Sequence, residues 1–273
     1  MKHTKLLFLS SMLVMSGMLT AVHAQDLNRF FRNTDGAFVL YDLKNNRYVR
    51  HNAARCRQRF NPFSTFKIPN SLIGLETGVI KDANFIIRWD RQKYPPQDNW
   101  STTAPFKYWG QDHTLRSAMK YSVLWYYREL ATRVGAPEMM RYVAKLRYGN
   151  QDISSGISEF WLSGRSLKIS PDEQIEFLKA LYKEELPVSK RSIGIVKEII
   201  TLEQTSAYKL SGKTGGGSLA EGKAMGWFVG YLEREGNVYF FATQVDGPNY
   251  LAIRDKRIDL TKQILTELGY LPK

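Results

Sequence analysis

Ser211-Gly212-Lys213-Thr214-Gly215-Gly216-Gly217 is the stretch on which the fold turns. Gly212-Lys213-Thr214 has the form of the end of a phosphate-binding P-loop, which would place a helix after Thr214. That motif also needs a glycine five residues before Gly212, and position 207 is alanine. The surrounding pattern is strand-like instead: Tyr208 to Thr214, Met225 to Glu233 and Val238 to Val245, with Glu235-Gly236-Asn237 as a tight turn between the last two. The P-loop is therefore rejected. Lys213 and Thr214 end an edge strand and face a cleft, and Gly215 leaves room for a ligand amide to lie alongside.

Working outward, an amphipathic helix from about Arg254 to Leu268 closes the chain, ended by Gly269. At the other end, Gly36 to Asp42 reads as a strand, Lys44-Asn45-Asn46 as a turn, and Arg47 to His51 as the returning strand. The middle is helical. Ile68 to Gly78 is apolar at helical spacing; Leu115, Met119, Leu124, Tyr127 and Leu130 recur on one side. Pro137 opens a helix with Met139, Tyr142, Val143 and Leu146 on one face, and Ser170-Pro171-Asp172-Glu173 is a capping box with proline at the first helical position. Sheet, helices, then sheet and helix again imply an α+β fold: a central antiparallel sheet flanked by helices, with a helical lobe inserted in it. A cleft between such parts is a natural site.

Residues 1–24 read as a secretory leader: Lys2 and Lys5, an apolar run from Leu6 to Leu19, then Val22-His23-Ala24 before a cut that leaves Gln25 first. Ser10, Ser11, Ser16 and Gly17 interrupt the run, so a stable membrane anchor is not expected. Residues 25–273 form one domain, exported to a periplasm. The formal net charge is +13, and residues 1–24 hold two lysines and no acid, leaving +11 for the rest. The basic residues are scattered, so a solvated surface is expected and nucleic acid is not. Cys56 has no second cysteine to pair with and reads as a buried inert thiol. Beyond the leader the histidines are His51 and His113. No cluster has metal-ligand spacing, so no metal is expected, and a Ser-His-Asp triad has almost no candidates.

If a serine is the nucleophile, lysine is then its natural base. Ser64-Thr65-Phe66-Lys67 places a hydroxyl and an amine one helical turn apart among Phe63, Phe66 and Ile68. Ser117-Ala118-Met119-Lys120 and Ser206-Ala207-Tyr208-Lys209 have the same spacing, so spacing alone does not choose.

The ordered set chooses. Ser64-Thr65-Phe66-Lys67, Ser122-Val123-Leu124 and Lys213-Thr214-Gly215 together resemble the penicillin-recognising serine enzymes. The apolar Ser122-Val123-Leu124, followed by Tyr148-Gly149-Asn150 and Phe160-Trp161-Leu162, resembles the class D, or oxacillinase-type, serine β-lactamases across essentially the whole mature chain. That family usually has valine or isoleucine where this chain has Leu124, which implies a tighter pocket. Tyr148-Gly149-Asn150 also fits a helix C-cap with Gly149 left-handed.

The resemblance implies a β-lactamase/transpeptidase-like fold and hydrolysis of β-lactams through an acyl-enzyme on Ser64. Lys67 would be the base, carrying a carbamate derived from carbon dioxide, with no diffusible cofactor. Trp161 would donate its indole N–H to that carbamate, with Leu124 and Leu162 keeping the pocket dry. Glu159 ranks well below Lys67 as a base. Ser122, possibly with Lys213, would pass a proton to the leaving nitrogen. The N–H groups of Ser64 and Gly216 would form the oxyanion hole. Thr214, Lys213, Gly215 and Arg257, preferred to Arg254, would hold the substrate and its carboxylate. Gly216 to Lys223 would border and tune the cleft. A small β-lactam is the expected partner, with a homodimer left open. Two other activities fit less well: a β-lactam sensor that stays acylated, and a cell-wall transpeptidase.

Overall fold

The structure is a computed structural model and describes residues 27–100, 103–219 and 222–272. The expected leader, residues 1–24, and the expected first residue Gln25 lie outside the described residues.

Strands β1 (Gly36–Asp42) and β2 (Arg47–His51) form the opening hairpin. A small separate ribbon pairs β3 (Ile86–Ile87) with β4 (His113–Thr114). Near the end come β5 (Thr201–Gln204), β6 (Lys209–Ser218), β7 (Ala224–Arg234) and β8 (Asn237–Gly247). These four join the first hairpin in one six-stranded antiparallel sheet, ordered β2-β1-β8-β7-β6-β5. Helices α1 (Ala53–Arg57), α2 (Lys67–Glu76), α3 (Leu115–Lys120), α4 (Leu124–Val134), α5 (Ala136–Lys145), α6 (Pro171–Tyr182) and α7 (Lys190–Ile199) lie between β2 and β5, and α8 (Tyr250–Arg254) and α9 (Lys256–Glu267) follow β8. Both ends of the chain thus build one sheet around the inserted helices.

Strand periodicity sorts the core. Ala37, Val39 and Tyr41 face the cluster shared with the helical lobe, while Phe38 and Leu40 face the cluster under α9 with Leu260, Ile264 and Leu265. Lys213 pairs with Val229 across β6 and β7. Directly paired residues share a face, so Lys213 points with Val229 toward the helical lobe.

Four sequence expectations change. The apolar face from Leu115 to Leu130 belongs to two helices, because Ser122 takes a left-handed backbone (φ +54°) between α3 and α4. The closing helix is likewise two, α8 and α9, meeting at Asp255. β6 is not an edge strand along its whole length. β5 pairs with Lys209 to Ser211, and Gly212 N–H donates to Ile200 O at 2.8 Å. β6 also runs on through the glycines to Ser218. Finally, Gly149 is not the cap of α5. Arg147 (φ +49°) takes that place: its N–H donates to Ala144 O at 3.0 Å, and that of Tyr148 donates to Val143 O at 3.2 Å, the Schellman pattern.

Candidate active site

Ser64 lies in a 3-10 turn, Phe63–Phe66, that runs directly into α2, whose first residue is Lys67. Phe63 has φ +49°, a left-handed backbone that costs an L-residue about 1–2 kcal/mol. Neighbours on three sides hold it there. Phe63 N–H donates to Trp161 O at 3.0 Å. Asn61 Nδ2 donates to Leu162 O at 2.7 Å, and Trp227 Nε1 donates to Asn61 O at 2.9 Å. Behind the turn, Gln174 Nε2 donates to Thr65 Oγ1 at 2.9 Å, and that hydroxyl donates to Pro62 O at 2.8 Å. The β6 glycines let the sheet approach this closely. A Cβ on Gly215 would lie 2.9 Å from Pro62 O, and one on Gly217 would lie 2.5 Å from the Phe63 ring. Gly215 is thus small for the sake of the serine turn as well, beside the ligand clearance its sequence suggests.

Lys67 is 1% exposed, and its Nζ donates to Ser64 Oγ at 2.6 Å. The Tyr127 ring centroid is 5.3 Å from Nζ. Burial above all, then the charges of Lys213 and Arg128, holds its pKa well below that of a free lysine. The ammonium form is thereby disfavoured, and the neutral amine that burial favours can accept a proton.

Trp161 is fully buried and stacks on Phe66, with centroids 5.6 Å apart. Its Nε1 is shielded from water and has no partner among the described residues. Buried donors are nearly always paired. An unpaired Trp161 N–H and a buried lysine whose ammonium form is disfavoured fit the carbamate that the motifs imply. Leu124 and Leu162 pack half-buried against the same core cluster. The loop bearing Trp161 is fixed at its base by Asn150, whose Nδ2 donates to Ser166 O and whose Oδ1 accepts from Lys168 N–H, both at 2.8 Å. Gly149 (φ +56°) admits that closure, since a Cβ there would lie 2.1 Å from Lys168 O. Tyr148 OH lies 3.4 Å from Thr65 Oγ1, linking the loop to the serine turn.

Lys213 is 5% exposed; its Nζ donates to Ser122 Oγ at 3.0 Å and to Thr214 O at 2.9 Å. Burial, with Arg257 nearby, lowers its pKa to about 7. Arg257 is also buried, and its Nη1 donates to Gly215 O, while Nε has no partner among the described residues. Gly216 gives it space: a Cβ there would lie 2.5 Å from Arg257 Nη1. Ser64, Ser122, Thr214, Gly215, Gly216 and Arg257 line one cleft of about 380 Å³, faced by Pro105 and Tyr250. Buried Lys67 reaches Ser64 of this cleft, and Trp161 stacks on the neighbouring Phe66.

The other candidates disperse. Ser117 caps α3 with Thr114 and contacts His113 Nδ1 at 2.9 Å. Ser206 is exposed beside the β5–β6 turn, and Lys209 pairs with Glu233 at 3.6 Å. Glu159 pairs with Arg128 at the surface, and Arg254 reaches the cleft rim but pairs with Asp255 at 2.7 Å. Cys56 is fully buried, with its thiol pushed up to about 12. In the segment from Gly216 to Lys223, residues 220 and 221 lie outside the described residues; Leu219 N–H donates to Lys223 O at 2.6 Å. Asn61 and Gln174 also position the serine turn and carry no motif in the sequence; Thr65 and Tyr127 stand in the serine motif and on the apolar helix face, without a sign of the contacts they make.

The serine turn, the buried lysine pair and the inserted lobe define the fold of the penicillin-recognising proteins. Residues 36–268 match the penicillin binding protein transpeptidase domain. The chain is 41% identical over 241 residues to a probable β-lactamase, YbxI, of Bacillus subtilis, covering 88% of this chain and 84% of that protein. It is 39% identical to the β-lactamase OXA-48 of Klebsiella pneumoniae, covering 88% and 85%. The crystal structure of a class D β-lactamase from Nostoc superposes with a TM-score of 0.81 at 41% identity, covering 90% of this chain and 99% of that one. The methicillin resistance protein MecR1 of Staphylococcus aureus is 36% identical, but the chain spans 41% of its length. The chain belongs to the class D serine β-lactamases.

Proposed function

We propose that this enzyme hydrolyses β-lactam antibiotics through an acyl-enzyme on Ser64. The observation that carries the proposal is the 2.6 Å contact from buried Lys67 Nζ to Ser64 Oγ. Ser64 Oγ attacks the lactam carbonyl carbon while its proton passes to the Lys67 side chain, where burial disfavours the ammonium form. The N–H groups of Ser64 and Gly216 receive the charge developing on the carbonyl oxygen. As the C–N bond breaks, Ser122 hands its proton to the leaving nitrogen and recovers one from Lys213, whose pKa of about 7 suits the exchange. Thr214, Lys213 and Arg257 hold the substrate carboxylate, with Gly215 and Gly216 flanking the ring. After Lys67 gives its proton to solvent and Lys213 regains one, water attacks the ester carbonyl and its proton goes to the Lys67 side chain, which returns it to Ser64 Oγ as the acyl C–O bond breaks.

Carbon dioxide held on Lys67 Nζ as a carbamate would supply a carboxylate base at this position. Trp161 Nε1 would hold it, with Leu124 and Leu162 excluding water. The leader pattern read in residues 1–24 supports export of the enzyme to the periplasm, where β-lactams act.

Replacing Lys67 by alanine should lower kcat/KM for a penicillin by about 10²–10⁴, the usual contribution of a positioned base. Steady-state hydrolysis checks it; undiminished turnover in Lys67→Ala would remove Lys67 as the base.

A further inference from the structure

Arg128 and Glu159 form an ion pair between α4 and the loop that carries Trp161, and the scheme above gives neither residue a task. Arg128 lies one turn beyond Leu124 on α4, so the two share a helix face. It also follows Tyr127, whose ring faces Lys67 Nζ. Glu159 stands two residues before Trp161 in the chain. The guanidinium has two surroundings. Its Nη2 meets Glu159 near the surface, where the Arg128 side chain is 30% exposed. Its Nε is shielded from water and has no partner among the described residues. The Arg128 charge reaches Lys67, where it adds to burial and to Lys213 in disfavouring an ammonium. A cation that disfavours a positive charge at a point favours a negative one there.

We propose that Arg128 is a positioning residue for the Lys67 carbamate: its guanidinium, tethered by Glu159, raises the affinity of Lys67 for carbon dioxide. The proposal rests on the carbamate reading above. In the reaction the Nζ lone pair forms a bond to the carbon of dissolved carbon dioxide. One C=O electron pair moves onto oxygen, and an N–H proton leaves to water. A neutral amine thereby becomes an anion, and the Arg128 field acts on that change. The pair is half exposed and contributes little to folding, so its loss should leave the fold intact.

The test is ¹³C NMR of the whole enzyme titrated with ¹³C-bicarbonate at one fixed pH, with Lys67→Ala as the blank. The wild type should show a carbamate resonance that the blank lacks. Arg128→Gln should need about tenfold more bicarbonate for half occupancy, and Arg128→Lys, which keeps the charge, within about threefold of the wild type. If the Gln variant does not fold, Arg128→Met serves the same comparison. Equal half-saturation in the wild type and the uncharged variant overturns the role of Arg128 and leaves the carbamate standing. No Lys67-dependent resonance in the wild type overturns both.

Discussion

Two lysines of one cleft are held below their ordinary pKa, and burial is the first cause for each. That has a measurable consequence for stability. Lys213 titrates near 7 in the folded protein and at about 10.4 in an unfolded chain. Between those values the unfolded chain binds a proton that the folded protein does not, so stability rises with pH. Below about 7 both states are protonated and the dependence vanishes. Lys67 acts in the same direction. Cys56, pushed up to about 12, opposes them only from about pH 9. Urea unfolding of the wild type and Lys213→Met at pH 7 and 8.5 isolates the Lys213 contribution. The wild type should gain about 1.5 kcal/mol on the variant over that interval; parallel behaviour would contradict the depressed pKa. At this scale the sequence carried the spacing of Ser64 and Lys67 but not their surroundings. Nothing in the residue types marks Phe63 or Ser122 as left-handed, because neither is glycine or asparagine and tertiary contacts impose the conformation. The Arg128–Glu159 pair joins residues 31 positions apart and has no local signal either.

Among elements, legibility followed length and local chemistry. β1 and β2 match their expected bounds, since a clear turn separates them. The capping box of α6 forms as read: Ser170 N–H donates to Glu173 Oε2 at 2.8 Å, and Ser170 Oγ accepts from Glu173 N–H at 3.2 Å. The five-residue α1, the two-residue β3 and β4 and the half-exposed β5 are too short to show a period. α7 was readable but passed over: Ser189 caps it, and Ile193, Val196 and Ile199 recur at helical spacing. The cap of α5 was assigned to Gly149 because glycine usually fills a left-handed cap, whereas Arg147 fills it here. Arg147→Gly should therefore relieve backbone strain. Greater freedom of the unfolded chain offsets part of the gain, leaving a net increase in stability of roughly 0.5–1 kcal/mol. A higher urea midpoint with an unchanged slope would confirm it, and a lower midpoint would refute it.

For the whole molecule, the order of its parts was legible because both ends of the chain carry strands and the middle does not. The six-stranded sheet with its inserted helical lobe follows from that order. The site arises where the two parts meet. The sheet brings Lys213, Thr214 and the glycines, the inserted helices bring Ser64, Lys67 and Ser122, and α9 brings Arg257. Among the described residues no helix is long and apolar enough to cross a membrane. A hydrolase and a sensor built on this site differ in one respect, the lifetime of the acyl group. Intact-protein mass spectrometry after mixing with a penicillin measures it directly, and on exported protein also shows whether the chain begins at Gln25. The wild type should carry a transient adduct on Ser64 that disappears as the penicillin is consumed, while Lys67→Ala acylates slowly and keeps its adduct. A wild-type adduct on Ser64 that persists without turnover would contradict the account.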